Sequence, residues 1–245
     1  VLKLENVEFP LLGLLVSGGH TELVLMRGWR EYEVIGETKD DAAGEAFDKV
    51  ARMLGLPYPG GPEISRIGDG GTPGAYPLPR PMLHSGDYSF SFAGLKTAVL
   101  YLIKNITKGN PSVSNSQESP LMVLSGKQKA DIAREFEEAC IEVLTVKTLR
   151  AAKEFDAKTI VVGGGVSANT RLRRMMESMV AEHLPDTKLF IPSPSLATDN
   201  ALMIALSALF GLDRAIKDIS SLRADGSWRL DQGPPIGPPE KNTGE

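Results

Sequence analysis

The stretch DDAAGEAFDKVARMLGLPYPGGP, residues 40–62, holds the pattern on which the fold prediction depends. Its carboxylates are spaced at i, i+4 and i+7 and share one helical face: Asp41, Glu45 and Asp48. Its apolar residues share another face: Ala43, Phe47, Val50, Ala51 and Leu54. The helix then runs into a Pro-Gly-Gly-Pro turn, in which Gly60 and Gly61 let a ligand approach backbone amides. The stretch therefore predicts an amphipathic helix beside a site for a polar small molecule.

The composition of the 245 residues is that of a globular protein and argues against several classes of function. Hydrophobic residues make up 42% and charged residues 24%, an ordinary mixture for a folded domain. The net charge of −4 argues against a general nucleic-acid coat, which would be basic. No apolar run approaches the roughly 20 residues that span a bilayer, so no membrane association is expected. The single cysteine, Cys140, cannot form an internal disulfide, which favours a reducing, cytoplasmic location and a buried thiol.

Strand and helix patterns along the chain predict the α/β class. Three short runs predict an antiparallel meander at residues 11–17, 21–26 and 32–37. Helices are predicted at 40–54 (capped by Asp40 or Asp41), at 94–105, at 127–155, from 169 onward (capped by Ser167) and at 198–210. Short strands at 159–162 and 188–191 alternate with the later helices, which indicates parallel pairing. Residues 57–92, with short extended pieces, and 108–119 are predicted as loops, and 231–245 as a disordered tail.

Three glycine-rich turns lie at the ends of predicted strands or the starts of helices: SGGHT at 17–21, PGGP at 59–62 and GGGVSAN at 163–169. Backbone amides in such turns bind anionic oxygens, and the third turn opens a helix whose amino end favours phosphate. Any one of these turns can be explained by the need for glycine in a tight turn. Three of them in one α/β chain point to a nucleotide site. The missing Gly-Lys-Ser/Thr argues against a P-loop, and the missing third glycine argues against the GxGxxG dinucleotide fingerprint.

Other motifs in the chain give weaker signals. The histidines at 20, 84 and 183 are not paired at i, i+4, and there is no HExxH, so a self-contained zinc-protease site is disfavoured. A serine-hydrolase triad is also disfavoured, because G-x-S-x-G is absent. Thr198-Asp199-Asn200 begins the last predicted helix, and by pattern alone it favours an N-cap over a metal ligand.

Seven stretches, in order along the chain, resemble the TsaD family, which transfers a threonylcarbamoyl group to tRNA. They are LLVSGGHTEL at 14–23, DDAAGEAFDKVARMLGLPYPGGP at 40–62, PRPM at 79–82, SFSFAGLKTA at 89–98, DIAREFEEA at 131–139, VVGGGVSANTRLR at 161–173 and ATDNALMIA at 197–205. The resemblance extends from residue 11 to residue 210, which is too long for a chance match.

The resemblance implies the actin/Hsp70/hexokinase-like (ASKHA) fold, with two α/β lobes around a nucleotide cleft, over residues 1–230. It implies transfer of threonylcarbamoyl from threonylcarbamoyl-AMP to N6 of adenosine 37 in tRNAs that read codons starting with A. It also implies tRNA, a smaller TsaB-type paralogue and a TsaE-type ATPase as partners. Because the attacking N6 amine is a poor nucleophile, positioning and electrostatic stabilisation are expected to dominate catalysis.

The resemblance also implies which residues bind substrate and metal. By motif match, the adenylate would be held by Leu15, Val16, Ser17, Gly18, Gly19, Asp48, Gly61 and Asn169, with Glu63 as a further candidate. Asp199 would be a ligand of one iron or zinc ion, which would act as a Lewis acid. No catalytic side chain is assigned.

The chain departs from the family pattern at its beginning. Family members carry an amino-terminal lobe with a pair of histidine metal ligands before the SGGHT strand, and this chain begins at Val1, past that pair. We therefore expect an incomplete first lobe and little or no transferase activity from this chain alone, since a lone carboxylate binds iron or zinc weakly. Three alternatives stay open: a non-catalytic interaction module that binds nucleotide or a partner subunit, an ATP-hydrolysing or phosphotransfer enzyme of the same fold, and, least favoured, a glycoprotease.

Overall fold

A five-stranded mixed β-sheet forms the centre of the fold. The computed structural model describes residues 7–108, 124–210, 212 and 229. The strands are β1 (Leu11–Val16), β2 (Thr21–Met26), β3 (Tyr32–Glu37), β4 (Thr159–Gly163) and β5 (Lys188–Phe190). In the order β3-β2-β1-β4-β5, the first three are antiparallel neighbours, whereas β4 is parallel to both β1 and β5. The predicted meander, the parallel pairing and the α/β class are confirmed.

The described residues also form six α-helices. They are α1 (Ala43–Met53), α2 (Gly60–Gly68), α3 (Ala93–Thr107), α4 (Gly126–Glu154), α5 (Thr170–His183) and α6 (Ala201–Phe210). The longest helix, α4, begins with a capping box formed by Ser125 and Gln128. It packs against α2 and α5, while α1 packs against α2 and α3. No helix within the described ranges combines the length and the apolar character that crossing a membrane requires.

One hydrophobic core joins the sheet to the helices. In β1, Leu12, Leu14 and Val16 are fully buried, because β1 has a neighbouring strand on each side and reads as a nearly continuous apolar run. Phe47 of α1 meets Phe136 of α4 edge to face, with ring centroids 5.0 Å apart. The predicted burial of the thiol of Cys140 is confirmed, and this burial holds its pKa well above the usual range.

The predicted cap of α1 is wrong. Neither Asp40 nor Asp41 caps the helix; instead the N–H of Ala43 donates to Oγ1 of Thr21 at 2.9 Å. The carboxylate of Asp40 accepts hydrogen bonds from two N–H groups at the start of α3, at 2.7 and 3.1 Å. Thr21 of β2 therefore accepts the hydrogen bond of the first N–H group of α1, and Asp40 caps α3, which is distant from it in sequence.

The Pro-Gly-Gly-Pro turn opens a helix, so the prediction of loops throughout residues 57–92 is wrong in part. Helix α2 begins at Gly60, with Pro59 as its N-cap and Pro62 in its first turn. Proline is tolerated there because the first N–H groups of a helix have no acceptor within it. The two prolines therefore mark the start of a helix.

Residues 69–92 follow an irregular path that polar contacts hold against α4. Arg80 forms an ion pair with the buried Glu135 of α4 at 2.6 Å. Lys147, also on α4 and fully buried, donates to Oγ of Ser85 at 2.8 Å. Buried charges persist where they are paired or hydrogen-bonded, because an unpaired one pays the full cost of leaving water. Helix α4 thus carries buried charged side chains that anchor a long loop.

Two later helices begin after their predicted positions. Ser167 does not cap α5, because a 3₁₀ turn (Gly165–Ala168) lies between β4 and the helix, and Asn169 is the N-cap. The prediction for Ser167 is therefore wrong. Helix α6 begins at Ala201, where the side chain of Asn200 accepts a hydrogen bond from the N–H of Met203 at 3.0 Å. Residues 109–119 of the predicted loop and the predicted tail at 231–245 lie outside the described residues.

Candidate functional site

A cleft of about 750 Å³ opens at the carboxyl ends of the parallel strands β1 and β4. Ligands of α/β proteins commonly bind at this edge of the sheet. The cleft brings together predicted site residues from separate stretches of the chain: Ser17, Gly18, Asp48, Gly61, Asn169 and Asp199. Residues up to 182 positions apart in sequence therefore share one concave surface, from Ser17 to Asp199 (199 − 17).

Three helices begin at the wall of this cleft. The lining residues in their first turns are Gly44 of α1, Gly61 of α2 and Thr170 of α5. A helix start carries partial positive charge and N–H groups that have no partner within the helix. Part of this capacity is used inside the protein, since the N–H of Gly44 donates to the carbonyl of Ser17 at 3.1 Å. The combined field of three helix starts favours an anionic group in the cleft.

The adjacent glycines of the Pro-Gly-Gly-Pro turn have different roles. A Cβ added to Gly60 would lie 2.5 Å from Cβ of Ala51 and 2.7 Å from Cα of Asp48, so α1 and α2 can approach this closely only at a glycine. The N–H of Gly60 also donates to Oδ1 of Asp48 at 2.7 Å. A Cβ added to Gly61 would have no described atom beyond its chain neighbours within 4 Å. Gly60 therefore shapes the corner, and Gly61 presents its backbone to the cleft.

The carboxylate stripe predicted from residues 40–62 divides in two. Asp48 lines the cleft, whereas Asp41 accepts hydrogen bonds from Lys49 and Lys96, each at 2.7 Å. Glu45 also pairs with Lys49, at 2.8 Å. Burial tends to raise the pKa of Asp41, but the hydrogen bonds from the two lysines outweigh it and hold that pKa below its ordinary value. The stripe thus supplies one cleft carboxylate and one structural ion-pair cluster.

Asn169 and Ser65 line the cleft and are joined to a buried carboxylate, Glu137 of α4. Nδ2 of Asn169 donates to Oε1 of Glu137 at 2.7 Å and to Oγ of Ser65 at 3.0 Å. Ser65 in turn donates to Oε1 of Glu137 at 2.6 Å. The other oxygen of Glu137, Oε2, accepts from Nε of Arg171 at 2.8 Å. A single buried side chain therefore connects α2, α4 and the start of α5 behind the cleft.

Sequence reasoning missed Glu137 and Ser65. A signal for Glu137 exists in its spacing, because it follows Ala133 by four residues and precedes Cys140 by three, on a helical face that is otherwise apolar. A charged residue on such a face indicates either a buried ion pair or a functional group. Ser65 gives no comparable signal, since its role depends on helix α2, which was not predicted.

Val16 and Leu15 lie behind the cleft and do not line it. Val16 is fully buried, and its backbone packs against Gly164. Gly164 has φ of 91°, and a Cβ there would lie 2.4 Å from the carbonyl oxygen of Val16. Leu15 pairs with Gly163 in the β1–β4 ladder. These residues hold the ends of the two parallel strands together.

Gly19 and Glu63 are directed to partners within the protein and do not line the cleft either. The N–H of Gly19 donates to Oγ of Ser17 at 3.3 Å. The carboxylate of Glu63 pairs with Arg66, one helical turn later, at 2.7 Å. Direct contact of these two residues with a ligand stays a prediction.

Asp199 is exposed and lines the cleft from the segment that precedes α6. Structural and catalytic metal sites of the zinc and iron type require several His, Cys, Asp or Glu donors. Within residues 7–108, 124–210, 212 and 229 there is no group of three or more such side chains that could hold a metal ion. The donors in this part of the chain therefore do not fit a complete iron or zinc site.

Comparison with known proteins gives a consistent set of relatives. A family model described as "TsaD: tRNA N6-adenosine threonylcarbamoyltransferase" matches residues 1–206. Proteins described as tRNA N6-adenosine threonylcarbamoyltransferase from Chromobacterium violaceum, Ralstonia pickettii and Geobacter metallireducens are 49, 47 and 48% identical to the chain over 205, 212 and 226 residues. These matches cover 84, 86 and 92% of this chain but 56, 57 and 62% of the relatives. The chain thus spans less than two thirds of their length.

Among solved structures, the crystal structure of T. kodakarensis HypF matches 75% of this chain and 21% of its own, with a TM-score of 0.47 and 17% sequence identity. Similarity at this level does not establish a common fold.

Proposed function

The chain belongs to the TsaD family of tRNA N6-adenosine threonylcarbamoyltransferases, and on this premise we propose that its cleft holds threonylcarbamoyl-AMP. The whole protein would transfer the threonylcarbamoyl group to N6 of adenosine 37 in tRNAs that read codons starting with A. The relatives are tRNA-modifying transferases, which supports this reaction class. Because the chain spans 56 to 62% of these relatives, the transfer reaction, its tRNA and its partners are proposals for the whole protein.

The observation that carries the proposal is that three helices begin at one cleft, which is also lined by the carboxylates of Asp48 and Asp199. The phosphate of an adenylate is anionic and suits the positive ends of α1, α2 and α5. The remaining oxygen of Asp48 suits a ribose hydroxyl, and the open backbone of Gly61 lies beside it. Asn169, at the start of α5, would lie along the adenosine. Ser17 and Gly18 would close the site at the end of β1.

In the proposed transfer, the N6 amine attacks the carbamoyl carbon of the adenylate. A C–N bond forms, the bond from that carbon to the phosphate oxygen breaks, AMP leaves, and N6 gives up a proton to solvent. Negative charge grows on the departing phosphate, where the helix starts stabilise it. The cleft also fixes the adenylate in place, which lowers the entropic cost of the attack. No step in this scheme involves a metal ion.

Several family properties stay predictions. They are a single iron or zinc ion with Asp199 as one ligand, a smaller TsaB-type paralogue and a TsaE-type ATPase as partners, and a cytoplasmic location. Family membership supports them; the donors found in the described residues do not amount to a metal site.

A second candidate function is a non-catalytic module that binds nucleotide or a partner subunit. It is favoured by helix α6, in which large apolar side chains such as Met203 and Ile204 are 51 and 67% exposed. Exposed apolar surface of this kind often marks an interaction site. The two candidates differ in chemistry, because only the transferase forms a new bond on tRNA.

The two candidates are separated by incubating the whole protein with threonylcarbamoyl-AMP and an unmodified tRNA transcript, then digesting the tRNA. Mass spectrometry of the nucleosides detects N6-threonylcarbamoyladenosine, and a parallel binding assay measures the adenylate. Product formation supports the transferase, and binding without product supports the module. A chain that neither binds the adenylate nor modifies the tRNA contradicts both.

A further inference from the structure

The buried carboxylate Glu137 of α4 accepts hydrogen bonds from α2 and from the start of α5, behind the cleft. Its side chain is 1% exposed, and its oxygens accept hydrogen bonds from Ser65, Asn169 and Arg171 at 2.6 to 2.8 Å. Burying a carboxylate costs desolvation free energy unless hydrogen bonds replace the lost water. Both oxygens of Glu137 accept such hydrogen bonds. Glu137 itself does not line the cleft, whereas Ser65 and Asn169 do.

The orientation of the Asn169 side chain is determined by this network. Its Oδ1 accepts a hydrogen bond from the N–H of Leu172 at 2.9 Å and so caps α5. Its Nδ2 lies within hydrogen-bond distance of two acceptors inside the protein, Oγ of Ser65 at 3.0 Å and Oε1 of Glu137 at 2.7 Å. Rotation of the amide would place its NH₂ against the helix N–H and its oxygen against the carboxylate. Glu137 thus holds Asn169 in one rotamer.

Arg171 extends the same network to the far end of α2. Its Nε binds Glu137, and its Nη2 reaches the exposed carboxylate of Asp69, the C-cap of α2, at 3.3 Å. Ser65 belongs to α2 as well and donates to Glu137. Glu137 therefore links α2, which starts beside Gly61, to the start of α5 at Asn169.

We propose that Glu137 is a positioning residue for the adenylate: it fixes Ser65 and Asn169 and holds the starts of α2 and α5 at the separation that the ligand requires. This inference rests on the proposed function, because it concerns the same cleft. Preorganised side chains bind more tightly, since less motion is lost on binding. Removing the support therefore weakens binding even though the supporting residue never touches the ligand.

The test substitutes Glu137→Gln and measures binding of threonylcarbamoyl-AMP by titration calorimetry. An amide has one oxygen and one NH₂, so in Glu137→Gln at least one donor among Asn169 and Arg171 meets another donor. We expect binding weaker by about ten-fold or more, as for loss of a hydrogen bond to a charged group.

The matched control is Glu135→Gln on the same helix. Glu135 is also a buried carboxylate, 3% exposed, but it binds Arg80 and the N–H of Gly74, away from the cleft. We expect Glu135→Gln to lower thermal stability and to leave adenylate affinity within about two-fold. Glu137→Gln must lose more affinity than this control at comparable stability, or the positioning role is contradicted.

A double-variant cycle separates positioning from general damage. Asn169→Ser keeps an oxygen for capping α5 but removes the amide NH₂. Because part of the effect of Glu137 passes through Asn169, the double variant should lose less affinity than the two single losses combined. Full additivity of the two losses would overturn the inference. If Glu137→Gln does not fold, Arg171→Lys takes its place in the same cycle with the same expectation.

The outcomes distinguish this inference from the proposed function. If the wild-type chain does not bind threonylcarbamoyl-AMP, the proposed function fails and the inference with it. If the wild type binds, and Glu137→Gln binds as tightly as Glu135→Gln, only the positioning role fails.

Discussion

The two sides of the cleft are built differently. The closed side, residues 44–65 and 165–171, ties its lining residues to buried partners, as in the contacts of Asp48 with Gly60 and of Asn169 with Glu137. The open side, residues 198–210, contributes Asp199, which is exposed, and continues into α6. Helix α6 has no charged residue, and Ile204 is 67% exposed. Hydrogen bonds hold the lining residues of the closed side, whereas the open side presents exposed apolar side chains.

This difference indicates which side of the cleft is suited to binding a small ligand. A surface whose side chains are already held in position binds a ligand at low entropic cost, as expected for an adenylate site. An exposed apolar helix contributes little to such a site by itself. We therefore assign adenylate binding to the closed side, and the predictions below test that division.

The largest effect is expected at Gly164, which joins β4 to β1 behind the closed side. Gly164→Ala places a Cβ 2.4 Å from the carbonyl oxygen of Val16 at φ of 91°. We expect the free energy of unfolding to fall by about 2–4 kcal/mol, measured by urea denaturation. The control Gly165→Ala meets no described atom within 4 Å beyond its chain neighbours. Equal losses in both variants would contradict the close approach.

A pH effect is expected at Lys147, on the helix that supports the closed side. Burial lowers its pKa to about 8, against the ordinary 10.5, and the nearby carboxylate of Asp87 opposes this only in part. Below pH 8 the lysine is protonated in both the folded and unfolded states. Between about 8 and 10.5 the unfolded chain binds more protons, so the free energy of unfolding rises with pH, by up to about 3 kcal/mol.

The comparison is between the wild type and Lys147→Met, in urea titrations at several pH values. The wild type should gain stability relative to the variant from pH 8 to pH 10.5, because only the wild type relieves a buried charge. A difference that stays constant across this range would show that the lysine is not desolvated.

A smaller effect is expected at Asp48, where the carboxylate stripe meets the cleft. Asp48→Ala leaves the buried Gly60 without the acceptor of its N–H group. We expect a loss of about 1–2 kcal/mol in the free energy of unfolding. Glu45→Ala, which removes a partly exposed ion pair with Lys49, should cost under about 0.5 kcal/mol. Both losses are measured by chemical denaturation, and equal losses in the two variants would contradict the separate roles of Asp48 and Glu45.

The smallest effect is expected on the open side. Ile204→Ser removes apolar surface that already faces water, so the free energy of unfolding should change by less than about 0.5 kcal/mol. Binding of the dye ANS should fall, because the exposed apolar surface of α6 is reduced. A large loss of stability would mean that Ile204 is buried in solution.

Much of the fold could be predicted from the sequence because its signals are local. The apolar runs within β1 and β2 predict strands, and the i, i+4 spacing within α4 predicts a long helix. The cap of α1 was predicted wrongly, because Thr21 and Asp40 form hydrogen bonds with helices that are distant from them in sequence. Such contacts depend on how the strands are arranged in space, which local spacing does not reveal.

The candidate site was predictable to a similar extent. The resemblance to the TsaD family pointed to Asp48 and Gly61, and the cleft contains both. Glu137, which lies behind the cleft, was not predicted, because its spacing within α4 indicates a buried charge but does not reveal which residues of α2 and α5 it contacts. Helix α2 was missed because its prolines read as a turn.

The central claim, that the closed side of this chain is an adenylate site, is tested most directly by titration calorimetry of threonylcarbamoyl-AMP. The titration is run against the wild type, Gly61→Val and Ile204→Ser. We predict one bound molecule per chain, binding weakened by about ten-fold or more in Gly61→Val, whose side chain enters the cleft, and no change in Ile204→Ser. Absence of binding to the wild type, or equal binding to Gly61→Val, would contradict the account.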